Sequence, residues 1–246
     1  CVRFLLGTVL VAAWFALVRH RLRREGGVLS ASATATIFLF FGYVLQTVGL
    51  YYTTASNSAF LTALYVIIVP LMLRRFDRRV IAATTIATVG LWLLVKPSAV
   101  VNLGDVMTVG CAVAFAGHIV CLERYTRLFD APSLLFWQVS AMTLLFLPMM
   151  AWEQPPAHAF TPSTVLIIGL AVTGIFATGA FAVQMWAQQL IPAQQVALIF
   201  AWLSWYFLGE TLDLQGWIGS GLILIAVLIG AFASSPPEAA AIVEPA

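Results

Sequence analysis

Charge is the scarcest resource in this sequence. Only 9% of its 246 residues are Asp, Glu, Lys or Arg, where a soluble globular domain carries about 25%. A soluble enzyme of this length could not cover its surface with so few charges. Disorder is excluded by the other side of the composition, since 62% of the residues are hydrophobic. Cysteine is scarce as well. Cys1, Cys111 and Cys121 show no CxxC spacing, which leaves no disulfide framework and makes them small hydrophobes. There is one lysine, Lys96, and there are three histidines. No HExxH, GxSxG or Walker motif is found, so no catalytic residue, metal ligand or cofactor is expected and the chain does not read as an enzyme. A net charge of +2, spread over short clusters, implies no nucleic-acid partner. Period-2 alternation is absent too, which argues against a transmembrane barrel.

Long apolar runs are what the sequence has instead, and lipid is the solvent they call for. A spanning helix needs about 20 mainly apolar residues. The runs are Phe4–Val18, Ser30–Leu50, Ala55–Leu73, Val80–Val95, Gly104–Leu122, Ser133–Ala151, Ser163–Trp186, Ala193–Leu208 and Leu214–Ala233. They are separated by helix-breaking Gly26-Gly27, Lys96-Pro97, Pro155-Pro156 and Pro162. The expected fold class is therefore an all-α integral membrane bundle of about nine transmembrane segments. The eighth is the weakest: its core, Val196 to Leu208, is 13 residues, or ~20 Å of helix against a ~30 Å hydrocarbon layer.

The few charges are a topology code. Arg19, Arg21, Arg23 and Arg24 follow the first run; Arg74, Arg75, Arg78 and Arg79 follow the third; Arg124 and Arg127 follow the fifth. These loops alternate, so ten of the twelve basic residues fall on one side, and only Arg3 and Lys96 fall on the other. The positive-inside rule makes the first side cytoplasmic, which places the C-terminus inside and the N-terminus outside. One further helix upstream would return the N-terminus to the inside. Ten helices divide into five plus five, and an odd number per half makes the copies antiparallel. Loop 209–215, with Glu210 and Asp213 and no base, lies opposite the Arg74–Arg79 loop in that scheme.

The stretch Gly49 to Tyr65 and on to Pro70, with Gly104-Asp105 through His118 and Glu123-Arg124-Tyr125, resembles an EamA-type transporter of the drug/metabolite transporter superfamily. So do Ala197 to Phe200, Phe207 to Thr211, Gly216-Trp217 and Arg3-Phe4-Leu5. The resemblance runs from residue 3 to about 233. It implies ten helices in two inverted five-helix EamA repeats: 1–97, lacking its first helix, and 103–234, with a shortened ninth helix, followed by a cytoplasmic tail at 235–246. It also implies a permease or exporter of small metabolites, amino acids or drug-like compounds in the cell (inner) membrane. Between Phe200 and Ala201 the family usually carries roughly ten more residues. The competing expectation is a non-transporting or degenerate membrane protein, or a partner subunit, derived from such a transporter.

Polar side chains in the middle of apolar runs need a reason. Ser58, Thr62 and Tyr65 share one helical face, with Asn57 beside them. Tyr43 and Gln46 lie three residues apart on the second run. His118 is the one histidine inside a run, and its ordinary pKa of ~6.5 suits a proton carrier. Thr173, Ala177, Ala180 and Gln184 fall on one α-helical face of the seventh run. The substrate-binding candidates are thus Tyr43, Gln46, Asn57, Ser58, Thr62, Tyr65, His118, Thr173 and Gln184. Each has a plainer reading: Ser, Thr, Asn and Gln also join neighbouring helices, at about 1 kcal/mol each. No charged residue sits at mid-run, which argues for an uncharged or amphipathic small-molecule cargo. Protons are the candidate coupling ion, the bilayer is the main partner, and Gly216 with Ser220 forms a small-residue face suited to helix packing or a homodimer. Trp186, Trp202, Trp205 and Trp217 lie near run ends, where an aromatic belt belongs.

Overall fold

The computed structural model describes residues 2–24, 26–74, 76–95, 102–153, 163–192, 195–196, 199 and 214–233. Among these residues it is helical, with no strand. In chain order the helices are α1 (Val2–Val18), α2 (Gly26–Gly49), α3 (Ala55–Ala63), α4 (Tyr65–Met72), α5 (Arg78–Val95), α6 (Leu103–Leu128), α7 (Ala131–Glu153), α8 (Thr164–Leu170), α9 (Ala177–Leu190) and α10 (Leu214–Ala233). A π-helical turn, Ala171–Phe176, joins α8 to α9.

Gly27–Gly49, Leu103–Leu128, Ala131–Met149 and the continuous Thr164–Leu190 are long and apolar enough to cross a membrane. Val2–Val18, Asn57–Met72 and Leu214–Ala226 are shorter apolar helices. Their outward side chains suit lipid and not water: Leu17 is 84% exposed, Val165 83% and Phe176 71%. The chain is an all-α multi-pass membrane protein.

Three expected runs differ in detail. The third is not one helix but two, because the backbone tightens at Leu64, whose N–H donates to the Leu61 carbonyl three residues back at 3.2 Å. The fifth continues past Glu123 to Leu128, and Arg127 reaches back to Glu123 at 3.5 Å, one turn away. The seventh contains the π turn. The eighth run, Ala193–Leu208, lies outside the described residues apart from isolated positions, and so do Lys96-Pro97, Pro155-Pro156, Pro162, Trp202, Trp205, Glu210, Asp213 and the tail 235–246.

The chain forms two compact units, each from two stretches of sequence: residues 1–43 with 120–190, and residues 44–119 with 191–246. In the first unit α1 lies against α7. Phe4 stacks on Phe146 at 5.5 Å, Thr8 meets Thr143, and Phe15 stacks on Phe136. Rising numbers on one helix pair with falling numbers on the other, so the two are antiparallel. Val11, Phe15, Val28, Leu122, Leu134 and Met185 form part of the buried core. Small residues allow α1 close to the π turn: a Cβ on Gly174 would fall 2.6 Å from Leu6 Cδ2, and one on Gly7 would fall 2.5 Å from Thr178 Oγ1.

In the second unit α10 packs along α5, with Gly90 so near Gly219 that a Cβ there would sit 2.6 Å from the Gly219 carbonyl oxygen. Gly216 is buried in the same helix. The second unit also holds the last residues of α2 (from Val44) and most of α6. Leu45 faces Gly110 and Gly49 faces Gly104, so α2 is antiparallel to α6. Asn57 meets Asp105 and Thr62 meets Cys111, so α3 is parallel to α6. These directions are the ones an alternating chain requires.

Hydroxyls in these helices mostly bond their own backbone. Thr8, Thr34, Thr36, Thr85, Thr88, Thr108, Thr126, Ser140, Thr143 and Thr173 each donate to the carbonyl four residues back. Where no water is available this is how a lone hydroxyl is satisfied. It also marks such residues as having no hydroxyl proton to spare for a cargo.

Two arginines end helices in a left-handed conformation, Arg19 and Arg74, both at φ 53°. At Arg19 the next residue completes the usual closure, His20 N–H donating to the Phe15 carbonyl at 3.0 Å. Glycine takes this conformation without the Cβ penalty. Arg74→Gly is therefore expected to stabilise the protein by about 1 kcal/mol, seen as a rise of a few degrees in the melting temperature in detergent; an unchanged or lower Tm would contradict it.

Candidate functional site

The densest polar cluster in the second unit is built around Asp105. Asn102 and Asp105 cap α6 reciprocally: Asp105 N–H donates to Asn102 Oδ1 at 3.0 Å, and Asn102 N–H donates to Asp105 Oδ2 at 3.0 Å. This is a capping box with Asn and Asp in place of the commoner Ser and Glu. The other carboxylate oxygen, Oδ1, accepts from Thr53 Oγ1 at 2.5 Å and from Asn57 Nδ2 at 2.7 Å. Asp105 is only 5% exposed. One carboxylate thus ties the start of α6 to the α2–α3 turn and the first turn of α3. Thr54 caps α3 through a hydrogen bond from Asn57 N–H at 3.1 Å.

One to two turns deeper lies a row of neutral groups. Gln46 Nε2 on α2 donates to Thr62 Oγ1 on α3 at 3.2 Å, and Thr62 lies 4.0 Å from Cys111 Sγ on α6. Ser58, one turn before Thr62, is 2% exposed, and its Oγ has no hydrogen-bond partner among the described residues. A buried orphan hydroxyl costs about 1–3 kcal/mol. The carbonyl four residues back, Thr54 C=O, accepts the Ser58 backbone N–H at 2.9 Å, and the Ser58 hydroxyl does not share it.

Four of the candidates, Gln46, Asn57, Ser58 and Thr62, are therefore brought together by α2, α3 and α6. Tyr65 is buried at the start of α4, just past the Leu64 break. His118 is buried on α6, at 2% exposure. The rest lie in the first unit. Tyr43 carries the Arg3 guanidinium 4.3 Å above its ring and meets the edge of Phe4 at 5.6 Å. Gln184 is buried on α9. Thr173 is exposed, and its hydroxyl donates to the Gly169 carbonyl at 2.6 Å.

The expectation that Thr173 and Gln184 share a face is corrected. It assumed an unbroken α-helix, and the π turn between them holds more residues per turn, so it rotates everything that follows. Asp105 is the residue that the site reading of the sequence passed over. Its signal was present in Asn102-x-x-Asp105 ahead of an apolar run, a capping-box spacing.

A second polar cluster, in the first unit, closes the basic loop. His20 Nε2 lies 3.0 Å from Asp130 Oδ2, which also accepts from Ser133 N–H at 2.9 Å. Arg23 N–H donates to Ser133 Oγ at 3.0 Å, and Trp137 Nε1 donates to the Arg23 carbonyl at 2.9 Å. Partial burial pushes the Asp130 carboxyl up, but the hydrogen bonds from Ser133 and His20 and the imidazole charge outweigh it and hold it below the usual carboxylate range.

The architecture defines a class first: apolar helices long enough to cross a membrane, with neutral hydrogen-bonding groups gathered inside one compact unit, which is the build of a multi-pass membrane protein. The sequence then supplies the family. Residues 102–231, more than half of the chain, match the EamA-like transporter family, and the chain belongs to it. It is 35% identical over 203 residues to a protein of Archaeoglobus fulgidus named "Uncharacterized transporter", an alignment that covers 77% of this chain. The chain spans 65% of the length of that relative. A solved structure described only as "Crystal structure of protein" shares the fold, with a TM-score of 0.71 at 14% identity, over 94% of this chain and 86% of that one. The EamA resemblance read from the residues is thereby borne out.

Proposed function

We propose that the chain moves small, uncharged or amphipathic metabolites across the cell (inner) membrane as a secondary transporter, by alternating access of two inverted repeats, 1–97 and 103–234. In this reading the arginine-rich loops and the C-terminus face the cytoplasm. The observation that carries it is the Gln46–Thr62–Ser58 row. These are neutral groups at depth, one hydroxyl is buried without a partner, and the one carboxylate nearby is already saturated by Thr53, Asn57 and Asn102. Such a row selects cargo by hydroxyl, amide or carbonyl groups, not by charge. His118, buried on the same helix as Asp105, is the candidate proton carrier.

The test is counterflow in proteoliposomes holding the full chain, with labelled neutral amino acids and lipophilic dyes as cargo panel. Ser58→Ala and Thr62→Val are each expected to lower flux roughly tenfold, as the loss of one buried hydrogen bond to cargo does. The melting temperature should hold in Ser58→Ala, whose hydroxyl has no internal partner among the described residues, and fall by a few degrees in Thr62→Val, which leaves the Gln46 amide without its acceptor. Flux unchanged in both variants would make the row helix-packing material. No flux with any cargo would favour the non-transporting reading. An imposed pH gradient adds one arm: His118→Ala is expected to abolish gradient-driven uptake, and unchanged uptake would remove His118 from coupling.

A further inference from the structure

We propose that the first unit holds a site for one anionic phospholipid, with an acyl chain in the groove between α1, α7 and α9 and the phosphate headgroup at Arg19 and Arg21. The groove is about 510 Å³, within the ~300–1,000 Å³ common for ligand pockets. Its walls are almost wholly apolar, with Leu10 and Trp14 from α1, Leu135 from α7, and Ala182 and Met185 from α9. Small residues keep it open. Gly179 lines it, and a Cβ built there would meet nothing within 4 Å.

One end of the groove abuts the arginine loop. Trp14 lines the groove, and its ring centroid lies 5.7 Å from that of His20. Ala131 and Pro132 also line it, directly after Asp130, whose carboxylate holds His20 at 3.0 Å. The loop is fixed there and not left to wander, by His20–Asp130, Arg23–Ser133 and Trp137–Arg23. Arg19 and Arg21 flank His20 in sequence. Both are exposed, and neither has an ion-pair partner among the described residues. Asp130, the carboxylate at this end, is engaged by Ser133 and His20. The result is an apolar trough beside two cations that have no ion-pair partner among the described residues. A phosphate on an acyl chain matches both parts at once. A neutral lipid matches only the trough, and a free anion only the arginines. The basic loops mark this end as cytoplasmic, the leaflet in which anionic lipids lie.

The test is native mass spectrometry of the full chain released from detergent with phosphatidylglycerol or phosphatidylcholine of the same acyl length. Phosphatidylglycerol is expected to be retained roughly tenfold more, since each arginine near the headgroup favours an anionic lipid several-fold. The double variant Arg19→Gln/Arg21→Gln is expected to bring the ratio of the two lipids close to one. Gly179→Leu, whose Cβ would meet nothing within 4 Å and whose side chain would enter the trough, is expected to reduce retention of both. Ala182→Leu repeats the filling from a second position in case the first variant is poorly made. Equal retention of the two lipids by the unsubstituted chain would overturn the proposal, as would full phosphatidylglycerol occupancy in both filled variants. A lipid-free dimer, or protection of the groove by another segment or helix, would also overturn it.

Discussion

Asp105→Ala is expected to lower the melting temperature in detergent by roughly 5–10 °C, more than any other single polar substitution in the second unit. The reason is the number of groups that one carboxylate satisfies. Thr53 O–H, Asn57 N–H and Asn102 N–H all donate to it, and the residue is 5% exposed. Removal leaves three donors facing one another where water has little access, and each unsatisfied donor carries its own desolvation cost. The backbone suffers as well. Asn102 and Asp105 cap α6 reciprocally, so half of that box is lost. Asp105→Asn keeps one acceptor oxygen but turns the other position into a donor against a donor, so its loss should be intermediate. Thermal unfolding followed by size-exclusion fluorescence separates the three proteins. An Ala variant within about 2 °C of the parent would mean that the cluster is solvated and carries little load. Because Asn57 and Thr53 bracket the start of α3, the variant is also expected to blunt flux by disturbing the Gln46–Thr62 pair one to two turns on.

The membrane class and the helical runs could be read from composition for one physical reason. In lipid every backbone group must be satisfied within the helix, and every charge must reach an interface. Long apolar runs therefore map onto helices with little ambiguity, as at α1, α2, α7 and α10, whose bounds lie within a few residues of the runs Phe4–Val18, Ser30–Leu50, Ser133–Ala151 and Leu214–Ala233. What did not show was phase within a run. The Leu64 tightening and the Ala171–Phe176 π turn leave hydrophobicity unchanged while they turn side chains, so the face shared by Thr173 and Gln184 in an ideal helix does not exist. The site was half legible. Gln46, Asn57, Ser58 and Thr62 stood out as polar residues in apolar surroundings. That Gln46 would reach Thr62 across sixteen residues, or that Asp105 would gather Thr53 and Asn57 across about fifty, depends on the packing of α2, α3 and α6, which no local spacing encodes.

The largest effect of all is expected at a residue with no side chain. The end of α2 turns under the start of α6, and Gly104 faces the carbonyl oxygen of Gly49, which already accepts from Tyr52 N–H at 2.9 Å and Thr53 N–H at 3.1 Å. A Cβ on Gly104 would land on that oxygen and lie 2.8 Å from Thr53 N and 2.9 Å from Tyr52 C. All three are backbone atoms, so no rotamer can give way. The two helices must part, and parting them pulls Thr53 away from Asp105. Gly104→Ala is thus expected to cost about 3 kcal/mol or more through overpacking, although alanine is by itself the better helix former by about 1 kcal/mol. Gly169→Ala supplies the opposite sign. It lies in α8 with nothing within 4 Å of its Cβ position, so the helix-propensity gain of up to about 1 kcal/mol should appear undiminished. The same substitution, one glycine to one alanine, should therefore lower the melting temperature sharply at 104 and raise it slightly at 169. Because the contact at Gly104 holds the element that carries the Gln46–Thr62 pair, Gly104→Ala should also abolish counterflow while Gly169→Ala leaves it intact. If both variants melted like the parent, the close approach of α2 and α6 would be wrong, and with it the geometry that brings Gln46, Ser58 and Thr62 together.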